Sequence, residues 1–123
     1  MSASQKLRWG ILGTGWIIRK YVEAARFTRD MELVAIASRD GDRARAAAAT
    51  HGISRAYAGY DALLADPAVD VVINALHNGL HCEWTIRALA AGKHVLCEKP
   101  LACTCAEADR MFAAAHANRR WLL

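Results

Sequence analysis

Arg8-Trp9-Gly10-Ile11-Leu12-Gly13-Thr14-Gly15 decides the fold: an apolar strand runs straight into a glycine turn, and a helical pattern comes next. Such a turn brings backbone N–H groups to a helix N-terminus, where aligned peptide dipoles favour negative charge and a pyrophosphate can approach closely. Gly13 is expected to permit the tight turn and Gly15 the close approach, while Thr14, Trp16 and Ile17 offer their backbone amides. The third position of the fingerprint, normally Gly or Ala for close helix-to-strand packing, is Ile18. That departure implies a wider helix-to-sheet spacing or a shifted helix register, and it leaves the phosphate contacts in place. A dinucleotide is therefore the leading ligand.

Outward from this turn, short β-branched runs alternate with alanine-rich helical patterns. Strands are expected at about 7–13, 32–38, 54–57, 70–75 and 93–97, and helices at about 15–28, 42–51, 60–65, 79–91 and 104–117. A strict β-α-β order predicts an α/β fold, a doubly wound parallel sheet of the Rossmann type with helices on both faces. Asp40-Gly41-Asp42 is placed to cap the second helix, Asp66-Pro67 to stop the third and Ala91-Gly92 to close the fourth. The apolar stretches at Val69 to Ile73 and Val95 to Cys97 read as central strands buried on both faces. Arg120 to Leu123 reads as the beginning of a sixth strand.

The 123 residues suit one domain, the dinucleotide-binding domain over residues 1–123, truncated before any second α/β substrate domain. No apolar run approaches the roughly 20 residues that a membrane span needs, and Met1 to Lys6 has no apolar core of a secretory signal, so a cytoplasmic location is expected. The net charge of +4 comes from scattered arginines with no basic run, which argues against nucleic acid and suits an anionic small molecule. Cys103 and Cys105 stand one residue apart, a spacing that points their thiols in different directions; Cys82, Cys97 and this pair read as reduced structural cysteines, with no metal site. Most of the four tryptophans are expected in packing, and Trp16 is the exception, since its place on the turn suits covering a cofactor.

At the end of the second strand, about twenty residues after the glycines, NAD-binding folds carry a carboxylate for the ribose hydroxyls. Here Ser38-Arg39 stands instead, with Arg43 close behind. A hydroxyl donates to a phosphate and a guanidinium pairs with it in a fork, whereas a carboxylate would repel it. NADP is the expected cofactor, with NAD left open.

Trp9 to Gly15, Ser38-Arg39 and above all Ala91-Gly92-Lys93-His94-Val95-Leu96-Cys97-Glu98-Lys99-Pro100 resemble the N-terminal domain of the Gfo/Idh/MocA oxidoreductases. The chain is similar in particular to the dimeric dihydrodiol dehydrogenases and NADP-dependent D-xylose dehydrogenases of that family. The resemblance implies that Lys99 is the active-site lysine near the nicotinamide, polarising or deprotonating the reacting hydroxyl. Glu98 matches the acid beside it, and Pro100 fixes the local backbone direction. Ala75-Leu76-His77-Asn78-Gly79-Leu80-His81 matches the family's loop beside the nicotinamide ribose, with His81 on the family histidine and Leu76 and His77 in place of the usual Thr and Pro.

Turn, second-strand residues and resemblance together imply an NADP-dependent oxidoreductase domain for hydride transfer with a sugar, polyol or dihydrodiol. The alternative is a non-catalytic dinucleotide-binding module or an inactive fragment of a longer dehydrogenase. By the same resemblance a second domain supplies substrate contacts and the dimer surface, so the 123 residues alone are expected to lack turnover. An unfinished sheet edge and an uncovered apolar face favour self-association, and a homo-oligomer of the full-length protein is compatible with both.

Overall fold

A computed structural model of the chain describes residues 5–123. The elements run β1 (Leu7–Leu12), α1 (Ile18–Phe27), β2 (Met31–Ser38), α2 (Gly41–His51), β3 (Arg55–Ala58), α3 (Tyr60–Leu64), β4 (Val71–Asn74), α4 (His81–Ala90), β5 (His94–Cys97) and α5 (Cys105–Asn118). All five strands pair in parallel, in the order β3-β2-β1-β4-β5. The expected doubly wound architecture is the one observed.

Successive strand residues point to opposite faces, and the core divides accordingly. Ile11, Ile36 and Ile73 bury against Ile18 of α1 and Ala48 of α2. Leu12, Ala35 and Val72 face the other way, onto Leu63 of α3, Leu89 of α4 and Ala115 of α5. Strand order reverses between β1 and β4, and a reversal of this kind opens a crevice outside the carboxyl ends of the strands. Among the described residues no helix is long and apolar enough to cross a membrane.

Three expectations are corrected. Helix α1 starts at Ile18, not near residue 15, because residues 15–20 first wind in a tighter turn: the amides of Ile18, Arg19 and Lys20 donate to the carbonyls of Gly15, Trp16 and Ile17. Ile18, at the third fingerprint position, is thus the first residue of the helix, and its large side chain is buried at 2 % exposed. The helix expected over 79–91 is a 3₁₀ turn at Asn78–Leu80 followed by α4. Strand β5, expected to be central, is last in the sheet order, and the segment 121–123 lies alongside it. Leu123 N–H donates to Val95 O at 3.0 Å, Val95 N–H to Trp121 O at 2.9 Å and Cys97 N–H to Leu123 O at 2.8 Å, as expected of a sixth strand starting there. His94 Nδ1 accepts from Trp121 N–H at 2.9 Å, a packing role for this histidine.

At the opposite ends of the strands from the crevice, a polar network holds the loop before β4. The buried Asp66 carboxylate accepts two hydrogen bonds from Arg55, at 3.0 and 2.9 Å, one from the Tyr57 hydroxyl and one from Ala68 N–H. Burial alone would raise the Asp66 pKa; these donors outweigh it and hold the carboxyl below its usual range. Lys93 Nζ donates to Asp66 O and Val69 O, both at 2.7 Å, and burial pushes its pKa down. Lys93→Met removes both charge-assisted bonds; Asp66 O keeps the Val69 N–H at 3.2 Å while Val69 O loses the ammonium, so the change is expected to destabilise the fold by about 1–3 kcal/mol. Urea unfolding measures this, and an unchanged midpoint would contradict the strut assigned to Lys93.

Candidate functional site

A cavity of about 910 Å³ opens at the carboxyl ends of β1, β2, β4 and β5. Its floor is the glycine turn. Gly13 N–H is committed to the sheet, donating to Ala37 O at 2.9 Å, whereas among the described residues the amides of Thr14, Gly15, Trp16 and Ile17 have no backbone acceptor. All five residues line the cavity.

The two glycines of the turn are needed for different reasons. Gly13 has φ +107°, and a Cβ there would lie 3.1 Å from Ala75 O, so the protein's own backbone requires it. A Cβ on Gly15 would meet nothing within 4 Å, and its φ lies outside the left-handed region. The protein therefore leaves open a space that packing does not require, directly beside amides without backbone acceptors. Amides aimed into an open space at a helix N-terminus fit a phosphate. Gly13→Ala is expected to cost about 1–3 kcal/mol through strain and the Ala75 contact. Thermal unfolding checks it, and a variant as stable as the parent would contradict this account of the turn.

At one end of the cavity stand Ser38, Arg39 and Arg43. Ser38 is buried at the end of β2, and its hydroxyl accepts from Asp40 N–H. Asp40 caps α2 as expected, its carboxylate accepting from Asp42 N–H at 2.9 Å. That engagement turns the acid toward its own helix, and among the described residues Arg39 and Arg43 form no ion pair. Two exposed guanidinium groups thus border the cavity without an internal counter-charge.

At the other end are Leu76, His77, Glu98 and Lys99. Glu98 N–H donates to Asn74 O at 3.0 Å, carrying the β4–β5 ladder one residue past β5. The Glu98 carboxylate accepts from the Tyr21 hydroxyl on one oxygen and from Lys99 N–H at 3.2 Å on the other. Lys99 is exposed, with a cis peptide bond to Pro100.

Two expected site residues lie apart from the cavity lining. His81 is 1 % exposed beneath the loop, with Nδ1 2.7 Å from Pro100 O and Nε2 2.9 Å from Leu76 O. It ties the loop after β4 to the segment after β5, and Pro100 takes part through its carbonyl. Asn74, fully buried, works beside it: its Nδ2 donates to His81 O and Thr85 Oγ1, and its Oδ1 accepts from Leu76 N–H. A polar residue ending the apolar run Val71-Val72-Ile73 is the sequence signal that marks Asn74. Tyr60, also on the lining, carries no such signal; it packs edge-on against Trp84 at 4.9 Å. Trp16 stands 73 % exposed on the glycine turn with the Lys20 ammonium 6.0 Å from its ring, whereas Trp84 packs and Trp121 is exposed.

With this geometry in place, comparison with known proteins decides the family. A family model described as an oxidoreductase family with an NAD-binding Rossmann fold, Gfo/Idh/MocA, matches residues 7–123. The chain belongs to the Gfo/Idh/MocA family. Among family relatives, it is 47% identical over 106 residues to a D-xylose 1-dehydrogenase (NADP(+)) of Haloferax volcanii, covering 86% of this chain and 33% of that protein. It is 37% identical over 119 residues to the trans-1,2-dihydrobenzene-1,2-diol dehydrogenase of Sus scrofa, covering 95% of this chain and 36% of that protein. Among solved structures, the 3-ketoreductase KijD10 of Actinomadura kijaniata in complex with NADP superposes with a TM-score of 0.91 at 40% identity, over 97% of this chain and 38% of that one. The chain thus spans about a third of the length of the family members it matches.

Proposed function

We propose that residues 1–123 serve as the NADP-binding domain of a Gfo/Idh/MocA oxidoreductase acting on a sugar, polyol or dihydrodiol. The observation that carries this reading is the open space at Gly15 beside the Thr14 to Ile17 amides, bordered by Arg39 and Arg43. The Thr14, Gly15, Trp16 and Ile17 amides hold the diphosphate. Ser38, Arg39 and Arg43 hold the 2′-phosphate of the adenosine ribose, which makes NADP the preferred cofactor over NAD. Trp16 covers the bound cofactor.

When bound, NADP supplies the hydride-exchanging nicotinamide. The side of the cavity formed by Leu76, His77, Glu98, Lys99 and Pro100 receives that part of the ligand, and His81 holds those two segments together from below. Lys99 Nζ is the group that holds and moves the proton of the reacting hydroxyl, with Glu98 beside it. Substrate contacts come from outside these residues, in a cytoplasmic protein that is an oligomer at full length.

Fluorescence titration with NADPH is the experiment, with the exposed Trp16 as reporter. Saturable quenching of tryptophan emission is the expected result. No change up to millimolar NADPH would overturn the reading.

A further inference from the structure

The Glu98 carboxylate has a partner that lies 77 positions away in sequence: Tyr21, on the face of α1 that packs against the sheet. The ring is half-buried among residues around Ile11, Ile36 and Ile73, so the hydroxyl's direction is set by the core and not by solvent. Burial, and then the bond to Glu98, push the Tyr21 pKa far above its ordinary value, and the phenol remains an O–H donor. With the Lys99 amide on its second oxygen, the half-buried carboxylate is gripped at both ends and has little freedom to swing.

The charges of the cleft divide. Arg39 and Arg43 border one end with Asp40, whose carboxylate is turned to the Asp42 amide; at the other end the Glu98 carboxylate is held in place and the exposed Lys99 ammonium forms no ion pair with it among the described residues. An arrangement that is cationic at the adenosine end and carries a held carboxylate at the opposite end complements a ligand with an anionic phosphate at one terminus and a cationic ring at the other. Oxidised nicotinamide is cationic and reduced nicotinamide is neutral, so a fixed anion there acts on one redox form only.

We infer that Tyr21 is a positioning residue whose hydroxyl fixes the Glu98 carboxylate at the nicotinamide end of the cleft, where the carboxylate favours the oxidised cofactor over the reduced one. This rests on the dinucleotide reading above and assigns Glu98 an electrostatic task, with proton movement left to Lys99. Tyr21 touches neither reacting atom; it acts through Glu98.

Calorimetric titration of the parent protein, Tyr21→Phe, Glu98→Gln and the double variant tests this, using NADP⁺, NADPH and adenosine 2′,5′-bisphosphate, which lacks the nicotinamide. Glu98→Gln is expected to lower the preference for NADP⁺ relative to NADPH by about tenfold, a unit charge acting across a half-buried cleft. Tyr21→Phe is expected to lower it by about three- to tenfold, with adenosine 2′,5′-bisphosphate affinity unchanged. In the Glu98→Gln background, Tyr21→Phe is expected to add nothing, because its effect passes through the carboxylate. An unchanged NADP⁺/NADPH ratio in Tyr21→Phe overturns the inference, as does an equal loss for all three ligands or an undiminished effect in the double variant. Failure of the parent protein to bind any of the three would instead sink the dinucleotide reading itself, and this inference with it.

Discussion

Gly15→Val is expected to weaken NADPH binding by at least about 100-fold while leaving the unfolding midpoint of the protein nearly unchanged. The two halves of this expectation come from one geometric fact. A Cβ at Gly15 meets no atom beyond its chain neighbours within 4 Å and the backbone there needs no left-handed φ, so the fold itself does not call for glycine at this position. The same side chain fills the space in front of the Thr14 to Ile17 amides. A phosphate held by two or more of those donors loses charge-assisted hydrogen bonds of about 1.5–3 kcal/mol each, which sets the scale of the loss. Gly13→Ala makes the counterpart, because its cost falls on stability through the Ala75 carbonyl. Titration and thermal unfolding on the two variants separate a ligand-made glycine from a fold-made one. A Gly15→Val protein that binds NADPH like its parent would remove the diphosphate from this turn.

Arg39→Glu is expected to reverse the cofactor preference, lowering NADPH affinity by about 10- to 100-fold and leaving NADH affinity within a few-fold. Arg39 has no ion-pair partner among the described residues: Asp40 gives its carboxylate to Asp42 N–H, so the guanidinium keeps its charge for a ligand. Introducing a carboxylate puts repulsion where attraction stood, whereas a 2′-hydroxyl in place of the phosphate is uncharged and can donate to the new carboxylate. Paired titrations with NADPH and NADH give the ratio directly. Retention of the NADPH preference in Arg39→Glu would move the 2′-phosphate away from the end of β2.

Much of the fold is legible in the sequence because the deciding signals are local. Gly13 and Gly15 come directly after an apolar strand, Asp40 precedes a helix, and residues 120–123 resume a strand pattern; each is read within a few positions and each is found in place. Periodicity sets the onset of α1 too early because it is insensitive to the first turn, where Gly15 to Ile17 wind more tightly before the helix settles at Ile18. It also sets β5 too deep in the sheet, because an apolar run reports burial on both faces and not sheet order. At the sheet's border, α5 and the segment 121–123 help supply that burial.

The site's support is the least legible part. Tyr21 reaches Glu98 across 77 positions, Lys93 reaches Asp66 across 27, and His81 bridges Leu76 and Pro100 by backbone carbonyls that no side-chain pattern announces. Contacts of this kind arise from the sheet order, which brings β1, β4 and β5 side by side only after the chain has folded. Sequence thus names the groups that line the cavity more readily than the groups that hold them still.

The most direct measurement is a crystal structure of the protein grown with NADPH. The account predicts diphosphate oxygens about 3 Å from two or more of the Thr14, Gly15, Trp16 and Ile17 amide nitrogens, with the 2′-phosphate against Arg39. A diphosphate bound elsewhere on the molecule, with those amides facing only solvent, would contradict it.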